Sequence, residues 1–368
     1  MRTSLCDVLG IEHPILQSGM GGVAGPELVA EVSRAGALGI LAGLNIPGDE
    51  LRKRIRRVRE LTDRPFGVNL WLHTELRPPT DPATIPDSML RQVQGTLNRF
   101  RERLGIPSIT GRPDPVPDLV DEAIGVILEE RVPVFSTALG MPDVALVRRC
   151  WERGVKVVAM VATVQDARRA ADAGTDVVIA QGSEAGGHRS TGAKGPSAES
   201  ASVGTLALVP QVVDAVNVPV VAAGGIADGR GLVAALALGA GGVLLGTRFV
   251  ATRESMAQEF YKKALLESEA DATTVTDAFS GLYARALRNR FTCEYADAGA
   301  PVLPALLQRN AAADVFAASI AQGDGSYMPM WSGQSVGLIR DLPGAAEIVE
   351  TIVREARAVI SDLERKIR

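Results

Sequence analysis

Ile179-Ala180-Gln181-Gly182-Ser183-Glu184-Ala185-Gly186-Gly187-His188 joins an apolar, β-branched run to a polar, glycine-rich turn that ends on one of three histidines. Paired glycines let backbone N–H groups approach a ligand closely, and a neutral imidazole accepts a proton near pH 7. Two further strand-plus-glycine turns follow, Val220-Val221-Ala222-Ala223-Gly224-Gly225 and Val243-Leu244-Leu245-Gly246-Thr247. Each precedes a helix-compatible run. Parallel barrels bind phosphate at such places, using loop N–H groups and the start of a short helix. Gly224, Gly225, Gly246 and Thr247 are therefore phosphate candidates; the alternative is that the glycines only make tight turns.

Amides give a second signal. Asn69 and Gln181 end otherwise apolar runs, and Gln17 ends an earlier one. Buried amides need partners, which a flavin ring offers along N3, O4 and O2, although each amide alone also fits a satisfied core position. Gly19, Gly21 and Gly22 would let backbone approach a flat ring. His188, after Gly-Gly at a strand end, is the candidate proton acceptor or substrate contact. Glu184 either orients it or is simply solvated. A metal is not expected, because His13 and His73 are remote and no carboxylate triad has ligand spacing. No Gly-x-Ser-x-Gly elbow, Cys–His–Asn pattern, P-loop or GxGxxG fingerprint is present.

The elements that must position these residues repeat one unit: a helix ending at Gly, a short link, then an apolar strand. It occurs at Gly36 before Leu38–Leu41, at Gly154 before Val157–Val161, at Gly174 before Val177–Ile179 and at Gly239 before Val243–Leu245. The glycine takes the left-handed C′ conformation and the link returns the chain to the sheet. Ile15–Gln17, Phe66–Asn69, Val132–Ser136 and Val218–Ala222 bring the strands to eight, which predicts a (β/α)₈ TIM barrel. A doubly wound sheet is the runner-up.

Two regions break the rhythm. Residues 73–118 hold eight of the 21 prolines around an amphipathic piece, Met89–Leu104, and read as a long excursion over the barrel mouth. Residues 251–327 become mainly helical, with helices expected over Met256–Ala270 and Pro304–Gln322. The expected organisation is a barrel over 1–250 and 328–368 with a small helical, substrate-side subdomain over 251–327. Ala345–Ile367 is expected to return as one helix to the barrel wall.

Composition excludes several classes. A formal charge of −4 offers no bulk attraction to nucleic acid or an anionic membrane. The arginines of residues 52–59 surround apolar Leu51, Ile55, Val58 and Leu61 and read as a solvated helix face. Cys6, Cys150 and Cys293 are odd in number and far apart, suggesting neither disulfides nor zinc. The first residues lack the apolar core of a signal peptide, and no apolar run reaches membrane-spanning length, so a cytoplasmic protein is expected. Oligomeric state is not legible.

At these motifs the chain resembles the nitronate monooxygenases (2-nitropropane dioxygenases), FMN-dependent (β/α)₈ enzymes. The resemblance runs through His13–Met20, Pro65–Asn69, Gln181–His188, Ala223–Gly231, Leu238–Arg248 and Trp331–Gly333. It implies that Asn69, Gln181, Gly186, Gly224, Gly225, Leu244, Leu245, Gly246 and Thr247 hold FMN. Gln17, Gly19 and Met20 complete the cofactor-binding candidates. It also implies that the flavin opens toward His188 under the insert. One branch of the family carries a histidine inside strand 5, where this chain has Ala159; in the other branch the Gly-Gly-His histidine is the base, and this sequence looks like that branch.

The expected reaction is oxidation of alkyl nitronates, or of neutral nitroalkanes as well, by O₂ to carbonyl compounds and nitrite. His188 would be the catalytic residue, with Arg189, Lys194 and Arg248 as candidates for steering an anion. An FMN-dependent enoyl-thioester reductase using NAD(P)H is the second reading, since such barrels also carry Gly-Gly-His. A non-enzymatic FMN scaffold is the third.

Overall fold

The computed structural model describes residues 1–72, 77–190 and 202–367. Eight parallel strands form one sheet: β1 (Ile15–Gln17), β2 (Gly39–Ala42), β3 (Phe66–Trp71), β4 (Val134–Ala138), β5 (Lys156–Val161), β6 (Val177–Gln181), β8 (Val220–Ala223) and β9 (Gly242–Leu245). A two-residue strand, β7 (Gly187–His188), lies outside it. The order β1-β9-β8-β6-β5-β4-β3-β2 brings the two end strands together. A parallel bridge between Leu16 and Leu38 joins them, with Gln17 N–H donating to Leu38 O at 2.9 Å. This is the expected TIM barrel. Seven of the eight strands are buried along nearly their whole length, so they read as continuous apolar runs rather than alternating ones.

The interior is filled by Leu16, Leu38, Ile40, Val134, Val158, Ile179, Val221 and Leu244, with Leu5, Cys6 and Leu9 in the same cluster. The helix Ser4–Leu9 therefore plugs the end of the barrel where β9 starts; a Cβ on Gly242 would come within 2.6 Å of Leu5 Cδ2. Outside, the helix Ala345–Ile367 buries Ile348, Val349, Ile352, Val353 and Ala356 against the helices Pro26–Arg34 and Gly229–Ala237. Asp228 caps the latter helix through Arg230 and Gly231 N–H, and Thr163 caps Val164–Asp172 through Asp166 N–H. The arginines of the helix Gly48–Leu61 face acids rather than open solvent alone: Arg52, Arg56 and Arg59 all pair with Glu130.

The insert differs from the expected pair of long helices. Helices run over Glu259–Leu266, Arg290–Asp297, Leu307–Ala311 and Ala313–Ala321, the last two separated at Ala312 (φ −105°, ψ 6°). Between the first two lies a hairpin, β10 (Thr273–Thr276) with β11 (Ala284–Leu287). β11 also pairs antiparallel with β7, Ala284 opposite His188 and Arg285 opposite Gly187. Four-residue strands carry too little alternation to stand out in sequence.

The excursion after β3 joins the same core. Its helix Asp87–Leu104 buries Val93, Leu97 and Phe100 in one cluster with Phe279, Phe291, Leu307 and Phe316. Fully buried Arg101 links the two segments, donating to Asp314 at 2.7 and 3.0 Å and to Ala311 O at 2.8 Å.

Candidate active site

Strand register gathers the candidates on one rim. Gln181 of β6 lies opposite Ala223 of β8, Ala223 opposite Leu244 of β9, and Leu245 opposite Gln17 of β1. Across the barrel, Asn69 of β3 lies opposite Ser136 of β4 and Ala42 of β2. Gln17, Ala42, Gln181, Ala223 and Leu245 end their strands, and Asn69 lies in the C-terminal half of its own, the end where this fold builds its sites.

The turn after β6 is tied at both ends by one side chain. Gln181 Nε2 donates to His188 O at 2.9 Å, and Gln181 Oε1 accepts from Ser190 N–H at 2.7 Å. Arg189 fills the turn's concave side. Its guanidinium donates to the carbonyls of Gly182, Ser183, Ala185 and Gly187. Burial, with Arg285 close by, pushes the Arg189 guanidinium down to about 10. Arg189 is thus an organiser of the turn, not an exposed anion steerer. Arg248 is likewise buried, bonded to Ala251 O and Asp341. Lys194 and His73 lie outside the described residues. Glu184 caps another element: its carboxylate accepts from Thr205 N–H and Oγ1–H at the start of the helix Thr205–Val213.

The His188 ring is set by residues from three parts of the chain. Trp71, at the end of β3, meets it edge-on with centroids 4.5 Å apart, and Trp331 lies 4.9 Å away. His188 Nε2 is 2.9 Å from the hydroxyl of Ser280, which lies in the hairpin loop of the insert. Tyr261 OH donates to Trp331 O, and burial raises that phenol's pKa well above its usual value.

The glycines fall into two kinds. Gly224 and Gly225 have φ of +107° and +73°, which L side chains rarely adopt. A Cβ on Gly225 would meet Glu184 Cβ at 3.6 Å, and one on Gly246 would meet Met20 Sδ at 3.6 Å, both ordinary van der Waals contacts. The N–H groups of Gly224, Gly225 and Thr247 find no acceptor among the described residues. Gly186 and Gly19 instead serve packing. A Cβ on Gly186 would come 2.5 Å from Gly333 N, and one on Gly19 would come 2.5 Å from Asn69 Cβ. The segment 331–334 is held between the two loops, Gly333 N–H donating to Thr247 Oγ1 and Gln334 N–H to Glu184 O, both at 2.9 Å.

The amides also divide. Asn69 Nδ2 donates to Ser136 O and Oγ, which leaves Oδ1 as its acceptor. Gln17 closes the barrel seam: Oε1 accepts from Ile40 N–H at 3.1 Å, while Nε2 donates to Ile40 O and Ser18 O. No group of three or more metal-ligating side chains occurs among the described residues.

The comparisons with known proteins agree with this geometry. The nitronate monooxygenase family model matches residues 2–355. The chain belongs to that family. A probable nitronate monooxygenase of Staphylococcus saprophyticus is 37% identical over 98% of this chain and 99% of its own. One from Staphylococcus aureus is 35% identical, covering 98% of each. Among solved structures, a nitroalkane oxidase from Streptomyces ansochromogenes superposes with a TM-score of 0.87 at 34% identity, covering 98% of this chain and 100% of that one. FabK from Thermotoga maritima gives 0.77 at 34% identity, covering 100% and 99%. The protein is therefore a flavin-dependent oxidoreductase of the nitronate monooxygenase family, which sets aside the non-enzymatic scaffold. No helix among the described residues is long and apolar enough to cross a membrane.

Sequence reading missed Ser280, Trp71 and Tyr261. None belongs to a motif. Each reaches the site through long-range packing, and only the glycine of Ser280-Gly281, with φ +78°, carried a local signal.

Proposed function

We propose that the protein binds FMN and oxidises alkyl nitronates with O₂ to carbonyl compounds and nitrite, and that it also accepts neutral nitroalkanes. The observation that carries this reading is the position of His188. It is fixed among Trp71, Trp331 and Ser280, on the same rim as the positive-φ turn Gly224-Gly225. The residues suit FMN. N–H groups of Gly224, Gly225 and Thr247 are free to donate to one terminal phosphate, and Asn69 Oδ1 can accept from a ring N–H. In this reading Gln17 and Gly19 support the site through the barrel seam and Asn69, while Met20 lines the Gly246 turn.

FMN, when bound, supplies two-electron oxidation of the substrate and delivery of the electrons to oxygen. The chain's own task is binding and proton transfer. His188 takes the C–H proton of a neutral nitroalkane; the C–H electron pair becomes the C=N bond and the negative charge passes to the nitro oxygens, giving the nitronate. The tryptophans flank the ring, and the turn, tied down by Gln181 and Arg189, holds it in place.

The test is to release the flavin by denaturation, identify it, and follow the protein's visible spectrum on anaerobic addition of ethylnitronate. FMN and bleaching by the nitronate are expected. FAD in place of FMN, or a spectrum that the nitronate leaves unchanged, contradicts the reading. The likeness to FabK fits the second reading, reduction of enoyl thioesters with NAD(P)H. Bleaching by NADPH, reversed by an enoyl thioester but not produced by nitronate, would favour it.

A further inference from the structure

We propose that Ser280 is a positioning residue that holds neutral His188 as the Nε2–H tautomer, so that Nδ1 carries the lone pair that takes the substrate proton. The proton-transfer part rests on the function proposed above; the tautomer itself does not.

The argument starts from one hydroxyl with one proton. Ser280 Oγ lies 2.9 Å from His188 Nε2 and 3.2 Å from Leu282 O. Ser280 is 2% exposed and Leu282 5% exposed, so no bulk water substitutes for a missing partner. Leu282 O accepts from no other donor among the described residues. If Ser280 donated its proton to the imidazole, this buried carbonyl would be left unpaired, an arrangement that folded chains rarely contain. Donation to Leu282 O satisfies the carbonyl and leaves the hydroxyl oxygen as an acceptor. The group facing it must then donate, which places the proton on Nε2.

The surrounding chain keeps Ser280 where this requires. Ser280 N–H donates to Asp277 O at 3.1 Å, and Ser280 O accepts from Leu306 N–H at 2.6 Å. Gly281 follows at φ +78°, where a Cβ would come within 2.6 Å of Leu303 O, so the turn has one packing. The hairpin also holds the other side of the contact, since Ala284 pairs with His188 in the ladder of β11 with β7. The barrel thus supplies the imidazole, and the insert supplies both its ladder partner and the group that selects its tautomer. A barrel-only fragment would present His188 without that selection.

The protein has three histidines, so the test is direct. Purified protein with ¹⁵N-labelled histidine is examined by long-range ¹H–¹⁵N correlation, roughly two pH units above the ordinary imidazole value of about 6.5. His188→Asn identifies the His188 signals by their loss. The wild type is expected to show the Nε2–H pattern, and Ser280→Ala a mixture of tautomers. Ser280→Thr, which retains the hydroxyl, should restore the wild-type pattern. Ser280→Ala should also lower kcat on a neutral nitroalkane about tenfold, the equivalent of one ordinary hydrogen bond, with a smaller effect on the nitronate.

An Nδ1–H pattern in the wild type would overturn the proposal, as would an unchanged Nε2–H pattern in Ser280→Ala. Once His188 is assigned, the wild-type spectrum decides even if Ser280→Ala fails to fold. The NMR readout needs no turnover, so failure of the proposed activity would appear in the kinetics alone.

Discussion

Gln181 holds His188 by its main chain rather than by its ring: Gln181 Nε2 donates to the His188 carbonyl at 2.9 Å while Oε1 accepts from Ser190 N–H at 2.7 Å. One amide at the end of β6 therefore closes an eight-residue turn and fixes the direction in which the imidazole leaves it. Gln181→Leu keeps the approximate size and removes both bonds. It leaves buried Ser190 N–H unpaired and should destabilise the protein by about 1–3 kcal/mol. Urea unfolding checks this, and nitroalkane turnover should fall with it even at saturating flavin.

Arg189 supplies the second constraint on the same turn. Its fork reaches four carbonyls, a geometry that the single ammonium of lysine cannot reproduce. Arg189→Lys keeps the charge and should weaken FMN binding by roughly tenfold or more, the worth of one or two lost charge-assisted bonds. Fluorescence titration of apoprotein measures it. Unchanged affinity would show that the turn holds its shape without the fork.

Much of this arrangement was legible in sequence. All eight strands, the glycine turns and His188 follow from local patterns: apolar runs bounded by helix-ending glycines, and polar turns at the ends of those runs. The partners of those residues were not legible. Gln17 looks like a cofactor amide because nothing in Ile15-Leu16-Gln17 reveals that its side chain completes the seam to Ile40. Glu184 gave no sign of capping Thr205, 21 residues away. The short hairpin of the insert was hidden because its strands lack a clear period and derive their order from pairing with β7.

The turn after β8 should be the most sensitive to added bulk. Gly225 has φ +73°, and a Cβ there would already lie against Glu184 Cβ at 3.6 Å. Gly225→Val would place a branched side chain there, in a backbone region such residues avoid. FMN affinity should fall at least tenfold, roughly the effect of 1–2 kcal/mol of strain before any steric exclusion of the phosphate. Equilibrium dialysis against FMN checks this; wild-type affinity would reduce Gly225 to a simple turn.

The central claim, that His188 accepts the substrate proton in a nitroalkane-oxidising site, is tested most directly by the ratio of kcat/KM for nitroethane to that for ethylnitronate in His188→Asn relative to wild type. The two substrates differ by the proton the base must remove. The account predicts that nitroethane turnover falls by roughly 10²–10⁴, the usual worth of a general base, while ethylnitronate turnover falls far less. The ratio should therefore drop by at least about a hundredfold, with FMN still bound. An unchanged ratio, whether both rates fall together or neither falls, would contradict it.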